Sequence, residues 1–235
     1  MTDMVVLVPA RGRPGNARRL IEECAKTCRA DTRLLFGLDD DDAWRYAGIT
    51  EGNEIIRPRM GLAPWTNELA AAALIEYPGT PVLCSLGDDH VPVTDGWDEQ
   101  LIEALGQIGG GWAYPDDSRR DDIAEAVAVS SVIAKGLGWL VPAADGKPIV
   151  HHWCCDNAWT ALARAVGRLE YLHHVKVPHY HPHSPVPEYQ VPADPTYEEA
   201  RWSYDLDKRR YLHWRDQGGL IKDAAKVREI LGMEA

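Results

Sequence analysis

Pro81-Val-Leu-Cys-Ser-Leu-Gly-Asp-Asp-His-Val-Pro92 is an apolar run that stops abruptly in two carboxylates and an imidazole. Residues 82–86 read as a short, fully buried strand, because they are largely apolar, open on a β-branched Val and lie between Pro- and Gly-type breakers. Asp88, Asp89 and His90 therefore stand at the carboxyl end of that strand. Ligands of open α/β sheets bind along this edge, and hard oxygen donors beside an imidazole suit Mn²⁺, Mg²⁺ or a comparable divalent ion. A solvated acidic turn closing a buried strand is the other reading of the same residues.

Upstream, residues 4–8 form a second buried-type strand that runs into Pro9-Ala-Arg-Gly-Arg-Pro-Gly-Asn16, a turn carrying the cations Arg11 and Arg13. A helix is expected over residues 17–28, with Leu20, Ile21, Cys24 and Cys28 on one face and Asn16 as N-cap. Strand, Gly-containing loop and helix N-terminus together make an anion site, although ordinary surface charge also accounts for the two Arg. No G-x-G-x-x-G occurs here, so a dinucleotide fingerprint is unsupported. Residues 33–38 are the next strand, ended by four consecutive Asp at 39–42. Four adjacent carboxylates cannot be buried unpaired, so most must face water; Asp39, nearest the strand, is placed to accept hydrogen bonds from a base or ribose. Residues 54–57 give a third short strand, and residues 66–77 a helix with Asn67 in its first turn, as a cap or as a contact to phosphate or sugar.

Downstream of the opening stretch, residues 96–106 read as a helix whose Trp97, Leu101, Ile102 and Leu105 are core. Strands are expected at 111–114 and 125–133, with residues 115–122 an exposed polar loop between them. Residues 134–141 form a short helix leading to a flexible connection through Asp145. A helix follows at 157–166, with Asp156 as its N-cap, a role sufficient by itself to explain an Asp there. After a strand at 169–177 come His179, His181 and His183, which point to one side if the backbone is extended, as a His-x-His metal pair requires; loop histidines are the alternative. From Asp194 onward the chain is charged and helical, with Trp202, Leu206, Tyr211, Leu212 and Trp214 as a packing stripe.

The chain of 235 residues is 45% hydrophobic, enough for one substantial core, and its formal charge of −11 argues against a general polyanion binder. Five scattered Cys show neither a disulfide framework nor a zinc-ribbon spacing. No charged-then-apolar leader opens the chain and no apolar run reaches about 18 residues, so a secretory signal and a membrane span are expected to be absent and the location cytoplasmic. Strand–helix alternation over the first hundred or so residues, then more irregular strands, indicates an α/β sheet that is parallel at first and mixed later.

In this order and spacing the pieces resemble a nucleotide-sugar-dependent glycosyltransferase of the GT-A fold, particularly the family-2-like enzymes of bacteria and their phages, over roughly residues 4–200. That resemblance implies a GT-A-like, mainly parallel sheet flanked by helices. It divides the chain into a glycosyltransferase domain at 1–193, its nucleotide-binding half about 1–92 and its acceptor half about 93–193, and a helical extension at 194–235. It places the nucleotide base against the loop at Pro9 and Arg11 and against Asp39, with Asn67 and Asp88 as further donor contacts. It assigns the divalent metal, Mn²⁺ or Mg²⁺, to Asp89 and His181, and makes Asp156 the base that activates an acceptor hydroxyl, inverting the anomeric carbon. The central motif departs from Asp-x-Asp: Gly87 stands for the first Asp if the apolar strand is kept aligned, with Asp89 at the metal position. The other register reads Asp88-Asp89-His90 as Asp-x-His, as in retaining polypeptide N-acetylgalactosaminyltransferases.

The implied partners are a nucleoside-diphosphate sugar and an acceptor left open between glycan, protein and modified nucleic acid. Three rivals stand beside this reading. A sugar-nucleotide pyrophosphorylase lacks its Gly-rich loop ending in a catalytic Lys or Arg. A metal-dependent hydrolase would need no donor nucleotide, and a non-catalytic sugar-binding module would need neither donor nor metal.

Overall fold

The computed structural model describes residues 2–234. Seven strands form one sheet: β1 (Met4–Ala10), β2 (Thr32–Asp39), β3 (Glu54–Arg57), β4 (Val82–Ser85), β5 (Trp112–Asp116), β6 (Val127–Ser130) and β9 (Leu169–Lys176). Their order is β3-β2-β1-β4-β6-β5-β9. Only β6 runs against the rest of this sheet, pairing antiparallel with both β4 and β5. This is the expected mixed, mainly parallel α/β architecture. Buried on both faces, β1 divides its side chains by the period of two: Val5 and Leu7 enter one core layer, and Met4, Val6, Val8 and Ala10 the other.

The Val5 layer is closed by α2 (Leu62–Glu76), α4 (Ser131–Leu137) and α5 (Cys155–Val166), and the opposite layer by α1 (Pro14–Thr27) and α3 (Trp97–Gln107). Gly37 on β2 sets the approach of α2, because a Cβ there would lie 2.5 Å from the Trp65 ring. Beyond β9 the chain forms α6 (Pro195–Ala200), a single turn at Arg201–Ser203, α7 (Tyr204–Asp216) and α8 (Gly219–Ile230). This is the expected helical C-terminal part, and its Trp214, Ala224 and Val227 join the same core layer as α2 and α5. None of the described helices is long and apolar enough to cross a membrane.

Several local expectations are corrected. Helix α1 begins at Pro14, where a missing N–H costs nothing, so Asn16 is inside the helix instead of capping it. Helix α2 starts at Leu62, four residues before the expected Thr66, which moves Asn67 into its second turn. The run expected as one strand at 125–133 splits: β6 ends at Ser130, and the β-branched Val132 and Ile133 belong to α4, where Ile133 is buried against the sheet. The connection expected to be flexible holds a two-stranded ribbon, β7 (Ala143–Ala144) and β8 (Lys147–Pro148), turned through Asp145 and Gly146, both at positive φ. In the tail, Trp214 packs inward but Trp202 is 68% exposed, so it is not part of the stripe.

Candidate active site

The carboxyl ends of β1, β2 and β4 lie side by side, and the loops leaving them are cross-linked by charge. From the β1 loop, Arg11 Nη1 donates to Asp39 Oδ2 at 3.0 Å and to Asp41 Oδ1 at 2.6 Å. Gly12, at φ 74°, donates its N–H to Asp42 Oδ2 at 2.6 Å. Of the four Asp, 40 and 41 are exposed, whereas Asp39 is buried to 2%: its Oδ1 accepts from Met60 N–H at 3.1 Å and Trp65 Nε1–H at 2.7 Å. The second cation, Arg13, spans the turn after β4, with Nη2 2.5 Å from Asp88 Oδ1 and Nη1 2.9 Å from Asp89 Oδ2.

That turn is made possible by Gly87. A Cβ there would stand 2.4 Å from Asp89 Oδ1 and 3.0 Å from His90 Nδ1, so Gly87 is the residue the turn requires, not only a missing Asp. The chain returning from β9 lies antiparallel against the turn, His90 bridging to His179, with Tyr180 N–H donating to the Asp89 carbonyl at 2.9 Å. The His90 and His179 rings therefore stack at 4.2 Å. Asp89 Oδ1 sits 3.4 Å from both His90 Nδ1 and His179 Nε2.

Burial opposes the charge of Asp89, but His179 and Arg13 outweigh it and hold the carboxyl well below the usual range. Burial also pulls His179 down, and there Asp89 and Glu125 win, raising it to about 10. His90, buried and facing the His179 charge, is held neutral, and its Nε2 has no partner among the described residues. Asp88, fully buried, is pushed up to about 7 by burial against the pull of Arg13.

On its other side His179 Nδ1 is 2.7 Å from Glu125 Oε2, and Glu125 also pairs with Arg119. Burial works against the Glu125 charge, but His179 and Arg119 hold it at about 2. Asp117, expected in an exposed loop, is buried to 2%; its Oδ1 accepts the N–H groups of Arg119 and Arg120 at 2.8 Å each, and burial and then Glu125 push it to about 7. Asp156 belongs to this half of the site. It is inside the first turn of α5, not at its cap, because Cys154 takes that position at φ 68°. Burial, then the Glu125 charge, raise it to about 6, so a helix N-terminus that favours the anion does not decide its pKa.

Two overlapping groups bring metal-type donor atoms within 4.8 Å of one another: Asp89, His90 and His179, and Asp117, Glu125 and His179. The carboxylate oxygens suit Mn²⁺ or Mg²⁺ and the imidazoles favour Mn²⁺ of the two, and a separation of 3.4 Å is near the roughly 3 Å edge of an octahedron with bonds of about 2.1 Å.

Of the residues expected from sequence, Arg11, Asp39, Asp88 and Asp89 converge at this edge, and Pro9 lies inside β1 level with Gly37. His181 is adjacent but outside both groups, its ring 5.0 Å from His179 and its Nδ1 accepting the His183 N–H at 3.0 Å. Asn67 is committed elsewhere: its amide oxygen accepts from the N–H groups of Leu140 and Val141, and its amide N–H donates to the Val141 carbonyl. Sequence reasoning named Arg13 only as a cation of the β1 loop and His179 only as one of three equivalent histidines, and it missed Asp117, Glu125 and Tyr197. A lone acid heading the apolar run Ala124-Glu-Ala-Val-Ala-Val129 was a usable signal for Glu125; Asp117 offered none.

No protein-family model matches the sequence, and no curated protein matches it. Solved structures match in shape. The mannosyltransferase PcManGT from Pyrobaculum calidifontis, in complex with GDP-Man and Mn²⁺, is similar with a TM-score of 0.58 at 13% identity, over 99% of this chain and 76% of its own. TarS from S. aureus, residues 1–349, is similar with a TM-score of 0.54 at 10% identity, over 75% of this chain and 59% of its own. Its complex with UDP-GlcNAc gives 0.53 at 10% identity, over 75% of this chain and 57% of its own. This chain therefore has a GT-A-like fold shared with glycosyltransferases.

Proposed function

We propose that the protein transfers a sugar from a nucleoside-diphosphate sugar to an acceptor hydroxyl, aided by Mn²⁺ or Mg²⁺ and inverting the anomeric carbon. The observation that carries this reading is the continuous charged chain Arg13–Asp89–His179–Glu125, with Asp156 beside it, on the carboxyl edge of a GT-A-like sheet. The neighbours' bound GDP-Man, UDP-GlcNAc and Mn²⁺ support the donor class and the ion.

Asp89 and His179 would hold the ion, joined by His90 if its Nδ1 releases the Gly87 N–H that it now accepts at 3.2 Å, and the chemistry of the bound ion is to neutralise charge gathering on the leaving nucleoside diphosphate. The stacked geometry leads us to favour His179 over His181 in that set. Arg11 and Arg13 present cations to the diphosphate, and Asp39 acts on the base side by fixing Arg11 and the Met60 backbone. Asp156 takes the proton of the acceptor hydroxyl: a pKa of about 6 leaves it ionised at neutral pH yet more basic than an ordinary carboxylate.

Thermal stabilisation by UDP-, GDP- and dTDP-sugars with Mn²⁺ tests the reading, since a ligand of the native state raises stability by mass action. A donor that stabilises the protein is then offered with acceptors and the product's anomeric configuration read by proton NMR. Free phosphate or diphosphate exchange, or hydrolysis of a substrate without any nucleotide, would replace the transferase by one of its rivals.

A further inference from the structure

Residues 194–203 cross the edge just described and take hold of its charged groups. Glu199 Oε2 accepts from Arg11 Nε at 3.0 Å and from Arg59 Nη2 at 2.9 Å. The Tyr197 hydroxyl donates to Asp89 Oδ2 at 3.1 Å, and its ring lies 5.6 Å from the Arg13 guanidinium and 5.1 Å from the His181 ring. Thr196 donates its hydroxyl to the Arg11 carbonyl at 3.3 Å. Asp194, which starts α6 by accepting the Thr196 N–H at 2.9 Å, is 3.9 Å from Arg13. One short segment thus satisfies the cations after β1 and β3 with a carboxylate and the carboxylate after β4 with a hydroxyl.

A carboxylate gripped by two guanidiniums has the charge and the acceptor geometry of a phosphate oxygen. We propose that residues 194–199 are a strap standing in for the donor: Glu199 lies where an anionic oxygen of a nucleoside diphosphate would bind Arg11 and Arg59. The nucleotide and its ion gain Arg11, Arg59 and Asp89 by displacing the strap. This rests on the donor reading above.

The way the strap is held makes it displaceable. Arg11 and Glu199 are partly exposed, at 22% and 42%, and exposed ion pairs are individually weak. The segment buries little apolar surface: Ala200 is inward, but Trp202 is exposed. Its far end is pinned, since Trp153 Nε1 donates to the Ala200 carbonyl at 2.8 Å. Residues 194–199 are therefore the part that moves, while residues 200–203, with Ser203 fully buried, stay in place.

A protein whose site is occupied by its own segment binds ligand with an affinity reduced by the open fraction. Calorimetry on the full chain, wild type, Glu199→Ala and Tyr197→Phe, uses GDP and UDP as probes, each with Mn²⁺, alongside hydrogen exchange of residues 194–203. The expected result is a Kd for the bound nucleotide roughly three- to ten-fold lower in Glu199→Ala than in wild type, a smaller gain in Tyr197→Phe, and, when nucleotide is added to wild type, faster exchange within 194–199 with 200–203 unchanged. Equal or weaker binding by Glu199→Ala, or exchange slowed by nucleotide, would overturn the strap and make the segment part of the binding surface. Absence of binding to all three proteins would overturn the donor reading, and the strap proposal with it.

Discussion

Replacing Asp207 by Ala should destabilise the protein more than any other single change in its C-terminal helices. Asp207 is fully buried in the first turn of α7, and its carboxylate accepts three consecutive backbone N–H groups, from His151 at 2.8 Å, His152 at 2.9 Å and Trp153 at 3.0 Å. Those three residues lead directly into α5 and Asp156. Hydrogen bonds to a charged acceptor contribute about 1.5–3 kcal/mol each, and their donors are left unsatisfied when it is removed. The bonds share one group and water can partly replace it, so the sum saturates near the ~3–5 kcal/mol seen when a buried charged pair is broken. A loss of about 4 kcal/mol lowers the Tm of a chain this size by roughly 8–16 °C. Asp207→Asn keeps the volume and one good acceptor but turns an N–H toward a donor, so it should fall about midway. Urea unfolding followed by Trp fluorescence measures this, with the exposed Asp205→Ala as a control expected within about 0.5 kcal/mol of wild type. If Asp207→Ala unfolds within about 1 kcal/mol of wild type, the 151–153 loop is not held by this carboxylate and the account is wrong.

Other expected outcomes follow from the site. Asp156→Asn should lower kcat by roughly 10²-fold or more with nucleotide affinity nearly unchanged, and should abolish the fall in wild-type kcat as pH drops through about 6, where Asp156 gains its proton; an acid limb that survives the substitution would assign it to another group. Mn²⁺ binding should weaken more in Asp89→Ala and His179→Ala than in His181→Ala, and calorimetry giving the reverse order for the two histidines would return the ligand role to His181. Wild-type affinity for Mn²⁺ should rise from pH 6 to 8, because His179, held protonated to about 10 by Asp89 and Glu125 against burial, must release its proton to bind; affinity flat across that range would exclude it as a ligand. Asp39→Ala should cost roughly 2–4 kcal/mol in urea unfolding, since it strands the Trp65 and Met60 donors, whereas a surface residue would cost almost nothing.

What the residues alone determined is the material that local pattern encodes. Short apolar runs placed β1, β2 and β4, because a strand buried on both faces must be nearly continuous in hydrophobicity, whereas β3 at the sheet edge has only Ile55 and Ile56 between charged residues and is half exposed. The charged loops at Arg11, Asp39 and Asp89 followed from the same logic, as a polar residue just past a buried strand marks its end. What local pattern left undetermined is which charges meet. Asp89 finds Arg13 from 76 residues back and His179 from the far side of the sheet, partners chosen by strand order and by one antiparallel bridge. His179, His181 and His183 share a face by their period of two and are equivalent in sequence; the bridge to His90 alone selects the first. Asp39 had every local mark of an exposed ligand group, but the Trp65 indole and the Met60 N–H, brought in by α2, commit Oδ1. The charged tail carries few local signs of a site, yet Tyr197, Glu199 and Asp207 lie against Asp89, Arg11 and the loop before α5. A single side chain advertises its capacity for charge and hydrogen bonding, whereas its partner is set by how distant elements pack, and burial by that packing then fixes the pKa values on which the chemistry depends.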